Sequence, residues 1–207
     1  MSYSSNTLHS GDRAVLSEEG FDLLFHQART HSAWQAKPVS LDLLRNVYDT
    51  MKFGPTSANQ SPLRILFLTS NEGKDRIIPA MMDLNKEKTR SAPVVAILAY
   101  DTKFYDQLGK LFPMRDIRGW FADSPDSGER AAFLNSTLQA AYFFLAARAH
   151  GLDCGPMTGF DAETLNNEFF PDGQWKATIV CNLGYGDPEK LFPRLPRLDF
   201  DEACRIL

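Results

Sequence analysis

Four short polar clusters carry residue types that could hold an anionic, hydrogen-bonding ligand. Arg29-Thr30-His31-Ser32 sets a guanidinium beside hydroxyls and an imidazole, and an arginine fork with neutral donors next to it binds phosphate through charge-assisted hydrogen bonds. The alternative there is a solvated helix end carrying a C-terminal cation. Gly54-Pro55-Thr56-Ser57-Ala58-Asn59-Gln60-Ser61-Pro62 is a turn of small and polar residues, where little bulk keeps a ligand from the backbone amides. A plain helix-to-strand connection would explain its Gly and Pro, but not so many amide and hydroxyl groups. Asn85 and Lys88 are three residues apart and share a helical face, with solvated surface charge as the alternative. Gly155-Pro156-Met157-Thr158-Gly159-Phe160-Asp161 reads as a strand ending in a Gly-rich turn that enters a helix. Exposed amides at such a turn donate to a ligand acceptor; the alternative is an ordinary connection capped by Asp161.

The sequence has no GxxxxGK[ST], strand-linked GxGxxG, HExxH or GxSxG, which removes the common nucleotide-triphosphate, Rossmann, zincin and α/β-hydrolase readings. Its four histidines, at 9, 26, 31 and 150, lie at no metal-ligand spacing, so no metal is expected. Cys154, Cys181 and Cys204 form no CxxC pair. The first two sit in strand-like apolar runs where a thiol is ordinarily core.

These clusters need elements to position them. Ser17-Glu18-Glu19 starts a first helix running toward Thr30, after a loose arm over residues 1–16. Pro38-Val39-Ser40 opens a second helix, with Leu44, Val47, Tyr48 and Met51 on one apolar face and Gly54-Pro55 as its end. Residues 64–69 and 93–100 read as buried strands. Residues 102–126 are an irregular aromatic excursion with short helices. Ser127 begins the longest helical pattern, which reaches about His150 with its second half apolar almost all round, as burial on most faces requires. A short strand through Cys154, a helix over 161–169, a strand over 176–183 and an extended segment from Phe192 complete the chain. About four strands among six or more helices make an α+β protein. An extended C-terminal arm of this kind packs readily on a second subunit.

Composition bounds the function. Net charge is −4, with 22 Lys+Arg against 26 Asp+Glu, which excludes a protein built around nucleic-acid phosphates. The N-terminal stretch lacks the basic and apolar regions of a secretory signal. The most apolar run, residues 140–147, is far short of the roughly 20 residues of a membrane span. The expectation is a cytoplasmic protein without a membrane or nucleic-acid partner.

The order of the four clusters resembles the nitroreductase family of flavin enzymes: an Arg-Ser-type phosphate motif, a Pro-Ser-Ser-x-Asn-x-Gln-Pro turn, an Asn-x-x-Lys pair, and a Pro-x-x-Gly-Phe-Asp turn after a long helix. The resemblance covers about residues 20–200. It implies a mostly antiparallel central sheet flanked by helices, one FMN-binding domain over 17–207, and a homodimer with the flavin at the subunit interface. By position, Arg29 and Thr30, with His31 and Ser32 beside them, would hold the FMN phosphate and ribityl, and Arg194 matches a C-terminal phosphate-binding arginine. Pro55, Thr56, Ser57 and Asn59 would reach the flavin bound mainly to the other subunit. Asn85 and Lys88 would bond the polar edge of the isoalloxazine, and Thr158 and Gly159 would place donors near N5 and O4. Ser32 stands where many members have a second basic residue, Phe192 where some have Lys, and Thr158 where Glu is frequent; His31 or Arg197 are the substitutes at the phosphate. Arg29-Thr30-His31-x-x-Trp34, Lys52 to Asn59, Ala92-Pro93-Val94 and the ending Phe200 to Leu207 are similar to the malonic semialdehyde reductase branch linked to pyrimidine utilisation.

What the resemblance implies chemically is hydride transfer from NADH or NADPH to flavin N5 and on to an acceptor, with no obligatory catalytic side chain. Lys88 would stabilise charge building near N1 and O2. A semialdehyde acceptor needs a carboxylate reader, and Arg115 and Arg118 are the candidates. The alternatives are a broad quinone or nitroaromatic reductase and a non-redox flavin- or nucleotide-binding module.

Overall fold

The structure, a computed structural model, describes residues 14–207; most of the expected 1–16 arm therefore lies outside the described residues. Ser17 accepts a hydrogen bond from the Gly20 amide at 3.2 Å and starts α1, Glu18–Phe21, which runs into a wider turn over Asp22–His26. The helix stops short of Thr30 because tertiary pairing claims the next residues. Thr30 bridges Cys154, the His31 amide donates to the Cys154 carbonyl at 3.1 Å, and Trp34 bridges Gly186.

Ser40 caps α2, Leu41–Met51, by accepting from the Leu43 amide at 3.1 Å. Leu44, Val47 and Met51 are buried, whereas Tyr48, at the margin of the stripe, is half exposed. Replacing Ser40 by Ala removes that cap, and urea unfolding is expected to show a loss of about 1 kcal/mol.

Strand β1, Leu63–Leu68, is followed by α3, Asn71–Ile77, and α4, Asp83–Ser91, before β2, Val94–Asp101. The aromatic excursion holds α5, Leu108–Leu111, and α6, Gly119–Ala122, and leads to α7, Pro125–Ala149. Then come β3, Asp153–Met157, α8, Ala162–Phe169, β4, Trp175–Gly184, and the final turn α9, Phe200–Ala203. The expected extended segment before α9 is present, without regular pairing.

The four strands form one sheet in the order β1-β2-β4-β3, each neighbouring pair antiparallel. Every residue of β2 is buried because apolar clusters cover both faces of the sheet. On one side Val94, Ala96 and Leu98 meet Leu44 and Val47 of α2 and Ala140 and Phe143 of α7. On the other, Val95, Ile97 and Ala99 meet Ile77 of α3 and Leu165 of α8. Alternate side chains of one strand thus serve two cores. Glu129 fixes the start of α7, accepting from Tyr100 of β2 and Lys176 of β4, each at 2.6 Å.

α7 is less enclosed than its sequence implies. In its second half Ala140, Phe143, Ala146 and Ala147 are buried, but Leu138, Ala141 and Ala149 are exposed on the single chain, as are Phe133 and Leu134 of the first half. No described helix is long and apolar enough to cross a membrane, and no metal-ligating cluster exists among the described residues.

Candidate functional site

A cleft of about 840 Å³ opens where the end of the first helical segment, the last turn of α4, the end of α7, β3 and the C-terminal segment converge. It brings together Arg29, Thr30, His31, Ser32, Lys88, Arg148, Arg194 and Arg197, with Phe25, Pro156 and Phe192 as its apolar walls. Among the described residues no Asp or Glu lines it, so it is a concentrated cationic surface on a chain whose net charge is negative.

Reciprocal bonds close this cleft. Arg29 donates to the Phe192 carbonyl from the helix side, and Arg194 donates back to the Ala28 carbonyl at 3.1 Å. Each of these contacts uses one donor nitrogen of a guanidinium that carries five N–H donors, so both arginines keep donors for a ligand. Arg197 bonds the Leu195 and Pro196 carbonyls of its own segment at 3.0 Å.

His31 is held rigidly. Only 7% of it is exposed, its Nε2 lies 3.5 Å from Asp153 Oδ1, and its buried Nδ1 has no partner. Asp153 also accepts from the Gly186 amide at 2.8 Å. A Cβ at Gly186 would stand 1.9 Å from His31 Nδ1, so this seat requires glycine.

Lys88 projects from the last turn of α4, where two side chains fix the backbone: Trp34 Nε1 and Asn182 Nδ2 both donate to the Lys88 carbonyl, at 3.2 and 2.9 Å. Partial burial lowers the pKa of its ammonium below the ordinary lysine value. An anion beside it would oppose that shift.

Asn85 does not line the cleft. Its amide nitrogen donates to the Gly159 carbonyl at 2.7 Å, and the Met82 amide donates to the same oxygen at 3.1 Å. A Cβ at Gly159 would meet Asn85 Nδ2 at 2.5 Å. The Asn85 side chain therefore shapes the Thr158-Gly159 turn, leaving Thr158 exposed.

The 54–62 turn lies away from the arginines of that cleft; the one beside it is Arg64, whose Nη1 donates to the Ser61 carbonyl at 3.0 Å. Pro55 and Asn59 line a separate cleft with Leu111 and Gln139. Ala58, Asn59 and Ser61 adopt positive φ of 48°, 51° and 43°, a conformation that bonds from α7 hold in place. The Ser57 amide donates to Asn135 Oδ1 at 2.8 Å, and Tyr142 donates to the Pro55 carbonyl at 3.0 Å. Within the turn, Thr56 Oγ1 accepts from the Ser61 amide at 3.2 Å, and the Asn59 side chain donates to the Leu111 carbonyl at 2.8 Å.

Arg115 and Arg118 also stand apart. Arg118 donates through Nε and Nη2 to Asp106 Oδ1 at 2.9 and 2.7 Å and stacks over Tyr105. Arg115 is exposed, over the Trp120 ring. Cys154 and Cys181 are buried thiols; burial, reinforced by Cys154, pushes the Cys181 thiol well up, which fits core packing rather than a nucleophile. Arg148, in the last turn of α7, also lines the cleft and was not singled out from sequence, where it is one cation after an alanine-rich run.

Comparison with known proteins gives this arrangement its family. The model of the nitroreductase family matches residues 26–185. A Ralstonia nicotianae protein named "Putative NADH dehydrogenase/NAD(P)H nitroreductase" is 55% identical over 186 residues, covering 90% of this chain and 95% of its own. A Rhodopseudomonas palustris protein of the same name is 51% identical over 194 residues, covering 94% and 99%. Among solved structures, a nitroreductase of Exiguobacterium sibiricum in complex with FMN superposes with a TM-score of 0.82 at 19% identity, covering 94% of this chain and all of the other. The matched span takes in the Arg29 cluster, α4 and the whole four-stranded sheet, and the chain belongs to the nitroreductase family.

Proposed function

We propose that this protein is an FMN-dependent NAD(P)H oxidoreductase that works as a homodimer in the cytoplasm, with residues 17–207 forming one cofactor-binding domain. The observation that carries the reading is the cleft that sets Arg29, Arg194, Arg197 and Lys88 together with no carboxylate among the described residues that line it. Its volume of about 840 Å³ lies within the roughly 300–1,000 Å³ of small-molecule sites. The donor set suits a ligand with a dianionic phosphate at one end and a polar ring at the other. When bound, FMN supplies the redox chemistry, passing hydride from NADH or NADPH to an acceptor.

The chain's residues divide that work. Arg29 and Arg194 hold the phosphate from two sides, and Thr30 and Ser32 add hydroxyls. Lys88 holds its proton toward the negative charge that builds on the ring during reduction, where a preorganised cation is most effective. Asn85 fixes the Thr158-Gly159 turn that presents backbone donors.

A second subunit completes the site in this reading. The Pro55-to-Asn59 turn lies outside the arginine cleft and reaches a cofactor only across a subunit boundary. Exposed Leu134 and Leu138 of α7, with Phe192, Leu195 and Leu198 of the C-terminal segment, supply the apolar surface for that contact.

The acceptor we assign is malonic semialdehyde, reduced to 3-hydroxypropanoate, with Arg115, which lies outside the single-chain cleft, as carboxylate reader from across the subunit boundary. A second reading, a broad quinone and nitroaromatic reductase, is favoured by one observation: Asp106 already occupies the Arg118 fork. Arg118→Ala is accordingly expected to leave KM for the semialdehyde unchanged. Arg115→Ala is expected to raise it about tenfold, the scale of one charged hydrogen bond, without changing KM for a quinone. Anaerobic reoxidation of the NADH-reduced enzyme tests the acceptor. Fast return of oxidised flavin with malonic semialdehyde supports the assignment; return only with quinone or nitro compound establishes the broad reductase.

A further inference from the structure

We infer that Arg148 is a phosphate-binding residue of the cleft and supplies the fixed positive charge that Ser32 does not. This rests on the FMN reading above and assigns a further residue to it. Arg148 lies in the last turn of α7, a helix packed against both the sheet and α2. Its Nη1 donates to the Leu24 carbonyl at 2.9 Å, which anchors the head group between α7 and the first helical segment. Its Nε is buried and has no partner, although the side chain lines the cleft.

A buried guanidinium N–H without an acceptor is costly. Among the described residues the opening that Arg148 lines is cationic and carries no carboxylate, so the acceptor that suits this side chain is an anionic ligand. Arg29 bonds, and Arg194 belongs to, a C-terminal segment that is exposed along residues 192–200, and their geometry depends on where that segment lies. Arg148 is mounted on a helix, so it holds its charge in place before ligand arrives. Preorganisation of this kind reduces the side-chain ordering that binding must overcome. Its planar fork suits phosphate oxygens, as a lysine point charge does not.

The test compares FMN with riboflavin, which has the same ring and ribityl chain but no phosphate. Dissociation constants are measured by flavin fluorescence quenching for wild type, Arg148→Met and Arg148→Lys, with unfolding temperatures of the unliganded proteins recorded in parallel. Arg148→Met is expected to weaken FMN about 10- to 100-fold, the scale of one or more charged hydrogen bonds, and to leave riboflavin affinity unchanged. Arg148→Lys is expected to keep part of the FMN affinity and to show the same selectivity. If Arg148→Met does not fold, the lysine variant decides alone. Equal weakening of FMN and riboflavin, or no weakening of FMN, overturns the assignment. Failure of the wild-type protein to bind FMN overturns the functional reading with it, and that outcome is distinguishable because it appears without any substitution.

Discussion

The double variant Arg29→Ala/Arg194→Ala is expected to lose about 10²- to 10⁴-fold in FMN affinity, from two charged hydrogen bonds of roughly 1.5–3 kcal/mol each. Riboflavin affinity should fall much less. The reason lies in the reciprocal clasp: Arg29 donates to the Phe192 carbonyl and Arg194 to the Ala28 carbonyl. Removing both side chains therefore takes away two guanidinium forks and loosens the segment that forms one wall. Arg29→Lys keeps the charge but loses the fork, so it should fall between wild type and Arg29→Ala. Titration by flavin fluorescence gives each constant, and equal losses for FMN and riboflavin would show that the arginines hold the wall rather than the phosphate.

Lys88→Met should separate binding from chemistry. The side chain is close to lysine in length and lacks the charge, while the Trp34 and Asn182 bonds to the residue 88 carbonyl are backbone contacts that survive the change. Stopped-flow reduction by NADH is expected to slow by about 100-fold, the scale of one donor aimed at developing charge, with FMN affinity altered far less. The pH dependence has a defined sign. Lysine is cationic below its pKa, and partial burial lowers that pKa in the unliganded protein. The wild-type reduction rate should therefore decline on the alkaline side as Lys88 loses its proton, and the Met variant should lack that limb. Equal loss of binding and reduction, or no loss of either, would contradict the role.

Much of the architecture was legible because local and tertiary demands agree. The runs 64–69, 93–100 and 176–183 are short, apolar and bounded by turn formers, and each lies within one residue of an observed strand boundary or inside it. Ser17 and Asp161 read as caps and act as caps. The first helix went wrong for a non-local reason: Thr30 and Trp34 pair with Cys154 and Gly186, more than a hundred residues away, and nothing in the local pattern announces it.

The candidate site was legible in its cations and illegible in its supporting contacts. Arg29, Lys88, Arg194 and Arg197 were singled out by type and position, and the fold sets them around one cleft. Asn182 is a fully buried strand residue whose amide holds the Lys88 carbonyl; in sequence it is one polar letter in an apolar run. Arg118 looked available for a substrate because Asp106, twelve residues earlier, had no visible reason to face it. An Asn-x-x-Lys spacing also could not reveal that the two side chains diverge, Asn85 to the Gly159 turn and Lys88 to the cleft.

The most direct test of the central claim is the visible spectrum of freshly purified protein, before and after adding FMN and desalting, followed by anaerobic NADH. The account predicts one tightly held flavin per chain whose absorbance bleaches with NADH and returns with an acceptor. Protein that retains no flavin after reconstitution, or flavin that NADH does not bleach, would contradict it.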